Sequence, residues 1–476
     1  MNRTFVFWFY WGAEIRVFVF SGLIDYLLDY GEVIVCARFL NQDLMSSADP
    51  RVKWIQSKLT KGSPWQSRLH SFANRVHSLW LRNRFEGMAV LDRAAAAGDT
   101  EPQNTLREVG AKACARRPLV NIVNKLASRA LDTTVEDLNW LSPMDPSKRT
   151  TILVSSDYLS VAGVRTICAA KKRKLATVFY PSNWRDVYKG ARLSLPFNDW
   201  IMWNAKMVDA ARRNNPWLGD ARFKETGSTQ FDSHFRSDWL VPRDNFCKIL
   251  GTDPQRPLIC YSAVSDSAFK GEAEIVEQII DALQKSEIGR SVQVVVRLNP
   301  AGSDPFYRDL CLKYPQTCFM QSPEWWIERP PDGAPIWRSN TPADARMMAN
   351  LIEHCLANVG LPSTMMLDFA VKGRPSICIG FDPSECKGGT TRAKDFLDQE
   401  FIRPALEQNV WPVASSATDV AELIVKCIKG TIEENKAAYN FVTATVGSCD
   451  GKVHQRLAQD IISICDRVRQ TRREKP

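Results

Sequence analysis

The sequence predicts an α/β protein built from two doubly wound, Rossmann-like domains facing each other across a cleft, with a helical insertion in the first. Three observations carry that prediction. Strand-length apolar runs alternate with helical periodicity at the start of the chain and again over about 150–226. A second alternating block runs from about 257 to 429. Between about 50 and 145 the alternation gives way to helical periodicity alone. Parallel strands covered on both faces read as continuous apolar runs, and each needs a crossover before the next, which is the pattern of both blocks. The expected division is 1–240 for the first domain, 241–435 for the second and 436–476 for a terminal helical segment.

In chain order, "TFVFWFY" is a buried strand over about 4–10, followed by a turn at Gly12, a helix over about 16–29 and a strand over about 32–37. Gly12, Glu14 and Arg16 interrupt the opening apolar run well short of the roughly 20 residues a membrane span needs, so it reads as a first strand and not an anchor. In the insertion, Leu69, Phe72, Val76, Leu79 and Trp80 recur at helical steps with Arg68, Arg75 and Arg82 between them. That basic amphipathic helix, about 65–84, either packs into a core or meets an acidic membrane face. Strand–helix alternation resumes at "TTILVSSDYLSVAGVRTICAAKKRKLATVFYP", 150–181, further strands follow near 200–203 and 223–226, and the polar stretch at about 236–257 reads as a linker. The second block places strands in "RPLICYSA", "VQVVVRLNP", "QTCFMQ", "SICIG" and "VWPVAS". Helices are expected near 270–286, 304–314, 342–354, 363–373 and 417–429. "PEWWIERPPDGAPIWRSNTP", 323–342, is Pro-rich and is expected to be a long loop.

Of the 476 residues 45% are hydrophobic and 24% charged, which suits a large globular core and excludes long disorder. The formal charge of +9 favours anionic ligands or an acidic membrane face. No zinc-finger spacing, RNP-like motif or sustained basic helix points to nucleic acid. Thirteen cysteines are scattered without a C-x-x-C, and Cys36, Cys260 and Cys378 lie in apolar runs. A reducing cytoplasm is expected, with the inner face of the membrane as a further possibility. No G-x-G-x-x-G follows the first strand, and Walker A, H-E-x-x-H and D-x-D patterns are absent. His70 and His77, seven apart, are poorly spaced for a metal. Neither a cofactor nor a metal is expected.

One stretch invites chemistry: "ANVGLPSTMMLDFAVKGRPSICIG", 357–380. A strand enters a helix through Gly360, Pro362, Ser363 and Thr364. Pro362 suits a helix start, and Ser363 or Thr364 can cap it. The first helical N–H groups and the helix dipole attract an anion, and small side chains let a diphosphate approach. Asp368 lies one turn on, on the face of Thr364, able to accept hydrogen bonds from ribose hydroxyls. An ordinary capped turn would use the same residues, and spacing does not separate the two. After the first strand of this same second block, Ser262 and Ser265 can donate to phosphate and Lys270 can neutralise it, or Lys270 is an exposed helix-start lysine. Arg297 either approaches the diphosphate or forms a salt bridge. Glu14, in the turn after the first strand, is the candidate base for an acceptor hydroxyl, or else a dipole partner of the helix that follows.

"GLPSTMMLDFAVKGRPSICIG" resembles the donor-site segment of GT-B glycosyltransferases, which implies that the Pro-Ser-Thr turn binds the donor diphosphate and that Asp368 holds the ribose. "RFKETGSTQFDSHF", 222–235, resembles the segment closing the first domain in GT-B surface-polysaccharide proteins and related epimerases, and adds Gly227 to the donor-site candidates. "VVVRLNP", 294–300, is similar to a strand end of the CDP-glycerol glycerophosphotransferase-like and surface-carbohydrate groups, with Asn299 where the relatives carry His. "YPSNWRDVYKG", 180–190, resembles a loop of the latter group with a gap near Trp184. The E-x7-E pattern of one retaining class would need Glu where Gly360 stands, which counts against that class.

The resemblance implies a metal-independent sugar transfer from a nucleotide-sugar donor to a glycan or lipid-linked acceptor in surface polysaccharide synthesis. Its alternatives are a CDP-glycerol-type polyol-phosphate transferase, a UDP-sugar 2-epimerase and a non-catalytic nucleotide-sugar binding protein.

Overall fold

The computed structural model of the chain describes residues 3–57, 63–82, 105–130, 150–157, 160–188, 192–193, 197–219, 221–302, 305–329, 336–384, 391–430 and 436–473. The first half is a seven-stranded parallel sheet in the order β3-β2-β1-β4-β5-β6-β7. Its strands are β1 (Arg3–Phe9), β2 (Glu32–Ala37), β3 (Lys53–Gln56), β4 (Thr150–Ser155), β5 (Ala176–Phe179), β6 (Asp199–Met202) and β7 (Arg222–Glu225). The opening apolar run is the central strand β1, with Phe5, Phe7 and Phe9 buried on one face and Val6 and Trp8 on the other, as two-sided coverage requires. The helix expected over about 16–29 is split into a π-helical turn, Ile15–Val19, and a short helix, Leu23–Leu27. Gly22 separates them in the left-handed region (φ 87°), where Ser21 Oγ donates to Val17 O over 2.7 Å.

The insertion contains α1 (Pro64–Arg82), α2 (Thr105–Cys114) and α3 (Leu119–Ala130). Val76, Leu79, Trp80 and Leu81 of α1 are buried in one cluster with Ala111 and Val120, so the core-packing alternative holds for that face. Residues 58–62, 83–104 and 131–145 of the expected insertion lie outside the described residues.

The second half is a six-stranded parallel sheet in the order β10-β9-β8-β13-β14-β15. Here β8 is Leu258–Ser262, β9 Gln293–Arg297 and β10 Cys318–Gln321. Next come β11 (Trp325–Glu328) and β12 (Trp337–Asn340), which form a separate antiparallel pair. Then follow α4 (Pro342–His354), β13 (Ala357–Gly360), α5 (Thr364–Ala370), β14 (Ser376–Ile379) and β15 (Val413–Ala414).

Two expectations are corrected here. The stretch 323–342 is a hairpin, not a loop. Its prolines at 330, 331 and 335 lie outside the described residues, while Trp326 and Trp337 meet edge-on across the pair, ring centroids 5.8 Å apart. The supposed linker at 236–257 contains a helix, Arg243–Leu250, because Phe246 and Cys247 are buried against the second sheet's core.

The last helix, α6 (Val453–Arg473), returns to the first half. It is tied there by Arg3–Asp466 at 2.8 Å and Arg467–Asp199 at 2.6 Å. The halves also meet through the loop that begins at Tyr180, where Trp184 packs edge-on against Phe401 at 4.7 Å. The expected doubly wound, two-domain architecture is the one observed. In each sheet the strand order reverses once, between β1 and β4 and between β8 and β13, and each reversal leaves a crevice beyond the strand ends.

Candidate functional site

A cleft of about 120 Å³ lies between the halves at the carboxyl end of the second sheet. Its walls include Ser262 from the end of β8, Arg297 and Asn299 from the end of β9, Trp325 of the hairpin, Asp344 of α4, and Arg16 and His234 from the first half. Ser262 Oγ reaches Val359 O at 3.4 Å, which fixes it between the ends of β8 and β13. A Cβ on Gly360 would lie 2.7 Å from that Oγ and 2.8 Å from Ser262 O, so only glycine lets these strand ends approach so closely. Pro362 is buried and Ser363 occupies the N-cap position of α5, yet its hydroxyl makes no capping bond. The expected cap is therefore missing: Ser363 and Thr364, both half-buried, are not held by the usual hydroxyl–backbone bond at this turn.

Arg297 is half of a salt bridge. Its Nη2 donates to Asp344 Oδ1 over 2.7 Å, and its Nη1 donates to Gln321. Asp344 also accepts from Trp325 Nε1 at 2.8 Å and from the Glu324 N–H at 3.1 Å. The guanidinium is thus neutralised where it meets the cleft. Asn299 Oδ1 accepts from the Ala301 N–H at 2.9 Å, which turns the chain after β9.

Asp368 differs from expectation. It is 1% exposed, and its Oδ1 lies 2.8 Å from Nε2 of His234. A buried carboxylate already bonded to an imidazole is not an open acceptor for ribose hydroxyls.

Three further expectations fail by position. Gly227 (φ +100°) is pressed against the C-terminal segment, where a Cβ would meet Val446 O at 2.8 Å, and its carbonyl accepts from Tyr180 OH at 2.7 Å. Ser265 pairs with Ser267 at 3.0 Å. Lys270 is exposed and lines a different groove, about 640 Å³, with Glu274 and Glu277. None of the three lines the cleft.

Glu14 does not line it either. It is fully buried, and its carboxylate accepts from the backbone N–H groups of Tyr10 and Trp11 at 3.2 Å, closing its own turn. Burial, helped by nearby Asp157, pushes its pKa up to about 7. Asp157 in turn accepts from Trp11 Nε1 at 3.2 Å and from the Ser160 N–H at 3.1 Å. The hairpin roofs this turn: Arg338 N donates to Trp11 O, and a Cβ on Gly12 (φ +91°) would lie 2.3 Å from Arg338 O.

Sequence reasoning missed Arg16 and His234. Arg16 is half-buried and donates to Gln230 Oε1 at 2.8 Å, and among the described residues it is in no ion pair. His234 sat within a quoted segment, but its carboxylate partner lies 134 residues away, so no spacing could have revealed the pair. Among the described residues no group of three or more His, Cys, Asp or Glu side chains is arranged to hold a metal ion. No described helix is long and apolar enough to cross a membrane.

No family model and no curated protein matches the chain. Solved structures do. A UDP-GlcNAc 2-epimerase from Neisseria meningitidis bound to UDP-GlcNAc superposes with a TM-score of 0.52 at 11% identity, covering 97% of this chain and 100% of that one. A glycosyltransferase from Rickettsia africae gives 0.50 at 9% identity, covering 98% of each chain. UGT89C1 from Arabidopsis thaliana gives 0.50 at 11%, covering 97% and 99%. Two parallel, doubly wound sheets with facing crevices, shared over nearly full length with these proteins, give this chain the GT-B fold.

Proposed function

We propose that the chain is a glycosyltransferase that binds a nucleotide-sugar donor at the β8/β13 crevice and moves the sugar to a glycan or lipid-linked acceptor in surface polysaccharide synthesis. The observation that carries this reading is the composition of that crevice. Ser262, the adjoining Gly360 and the uncapped Ser363–Thr364 turn are small or hydroxyl-bearing, and Arg16, which lines the cleft with Ser262, comes from the first half without a carboxylate partner among the described residues. Small residues leave room for a diphosphate, and a guanidinium and backbone N–H groups stabilise the leaving phosphate without an obligatory metal. Removing one such donor typically slows a reaction by roughly a hundredfold or more.

A thermal-shift panel of UDP, GDP, CDP, CMP and their sugars tests the reading. At least one diphosphate is expected to raise the melting temperature, and a flat response to all of them removes the donor site.

UDP-sugar 2-epimerisation is the second reading, favoured by the buried imidazole in the cleft and by the epimerase among the structural neighbours. Appearance of a C2 epimer of UDP-GlcNAc, without release of UDP, selects it.

The acceptor side supports contact with an acidic membrane through α2 and α3. Leu106, Val109, Leu119, Ile122 and Leu126 are exposed there, among Arg107, Arg116, Lys125 and Arg129. The single carboxylate of these two helices, Glu108, is paired with Arg75 at 2.7 Å. An apolar stripe flanked by cations suits an anionic bilayer. Flotation with phosphatidylglycerol vesicles but not with phosphatidylcholine vesicles is the expected result, and equal recovery with both sinks the contact.

A further inference from the structure

The chain has five histidines, and one differs from the rest. His70 meets the Arg192 guanidinium. His77 is enclosed by Trp80 and Trp217. His354 bonds Val241 O, and His454 shares Asp232 with the first N–H groups of α6. His234 alone lines the cleft, 3% exposed, with Nε2 on Asp368 and Nδ1 without a hydrogen-bond partner. His77 also has both ring nitrogens buried and unpaired but does not line this cleft, so His234 is the histidine that combines an unpaired nitrogen with a place in the cleft wall, where a partner can arrive.

The chemistry of the pair fixes which nitrogen is reactive. An ionised carboxylate only accepts, so Asp368 takes the Nε2–H. The neutral ring is then held as the tautomer whose lone pair is on Nδ1. The two side chains come from opposite halves, His234 from the 3-10 segment Thr229–Phe235 and Asp368 from α5. The pair therefore exists only when the halves are together.

We propose that His234 is the proton acceptor for sugar transfer and that Asp368 is its positioning residue, in place of Glu14 and of a ribose contact. The proposal rests on the nucleotide-sugar reading above. In the step, the acceptor hydroxyl gives its proton to Nδ1 as its oxygen bonds to the anomeric carbon. The bond from that carbon to the phosphate oxygen breaks, and the nucleoside diphosphate leaves with the electron pair. The imidazolium later returns its proton to water. The other charged groups around His234 are the Arg297–Asp344 pair across the cleft, Arg16 from the turn after β1, and Asp232 on its own segment.

The test uses the full-length protein and whichever nucleotide sugar of the panel shifts its melting temperature, with release of the nucleoside diphosphate followed against pH. His234→Gln keeps an amide near the Nε2 position to hold Asp368 but has no basic nitrogen. It is expected to retain nucleotide affinity within about twofold and to lose turnover by about 100-fold or more. Asp368→Asn is expected to slow turnover by about tenfold or more while nucleotide affinity stays within about twofold, because the ring loses the acceptor that fixes its tautomer. Wild-type turnover in His234→Gln overturns the proposal. So does a parallel loss of nucleotide affinity, which would mean a structural role, and so does a wild-type protein that binds the nucleotide sugar but releases nothing.

Nitrogen-15 NMR of labelled histidine reads the pair without any substrate. A ring protonated at Nε2 in the neutral form, changed in Asp368→Asn, supports the proposal, and an Nδ1–H tautomer at His234 overturns it. If no nucleotide binds, the donor reading fails on the melting panel while the tautomer still judges the pair.

Discussion

The two crevices of this protein share a topology and differ in what fills them. At β1/β4 the chain fills the crevice itself: Glu14 closes the turn, Asp157 takes the Trp11 and Ser160 donors, and the β11–β12 hairpin covers the turn. At β8/β13 it withholds side chains. Gly360 and Ser262 leave space, Ser363 leaves its turn uncapped, and the nearby cation Arg16 comes from the opposite half. A pair of neighbouring carboxylates repels a diphosphate, while a crevice of small residues near a guanidinium attracts one. Topology therefore supplies two equivalent crevices, and side-chain chemistry is what sets them apart.

The largest expected effect tests the self-filled crevice. Glu14 carries a raised pKa, about 7 against an ordinary 4.5, so the native state holds its proton more tightly than the unfolded chain does. That linkage makes stability fall as pH rises through the window from 4.5 to about 7. Glu14→Gln removes the ionisation. It should match wild type below that window and exceed it by on the order of 3 kcal/mol above it. Urea melts at pH 4 and pH 8 measure this, and a pH-independent difference would mean that Glu14 is not sealed as described.

A second substitution closes the open crevice. Gly360→Ala places a methyl group against Ser262 and should cost about 1–3 kcal/mol by overpacking, together with a loss of nucleotide affinity. Unchanged unfolding and unchanged binding would show that the strand ends can part freely. Arg16→Ala should weaken a nucleoside diphosphate by roughly tenfold, the scale of one charge-assisted hydrogen bond, in a titration at low salt. A loss that is equal for the uncharged nucleoside would point away from the phosphates. Lys270→Ala marks the smallest effect: its groove is separate, so affinity should stay within about twofold, and a larger loss would return it to the site.

The sequence by itself determined the two-block α/β architecture, because continuous apolar runs and helical periodicities are local patterns. β2 was read at Glu32–Ala37 and α4 at Pro342–His354 from such patterns. Local pattern failed where proline count was mistaken for irregularity. Three of the five prolines of 323–342 come between two aromatic strands in the sequence, and the edge-on cross-strand contact of Trp326 with Trp337 is not a local property. It also marked the 357–380 stretch, including Gly360, Ser363 and Asp368, as the place to look. What Asp368 does there was decided only by tertiary structure. Its partner stands 134 residues earlier in the chain and in the other half of the molecule, and only the packing of the two halves brings a carboxylate and an imidazole to 2.8 Å. The same holds for Arg297, whose charge looked available until α4 placed Asp344 against it, and for Glu14, which its own turn and the hairpin enclosed. Periodicity records which face of an element is buried. The charge state and the partner of a buried polar group depend on what the rest of the fold places beside it.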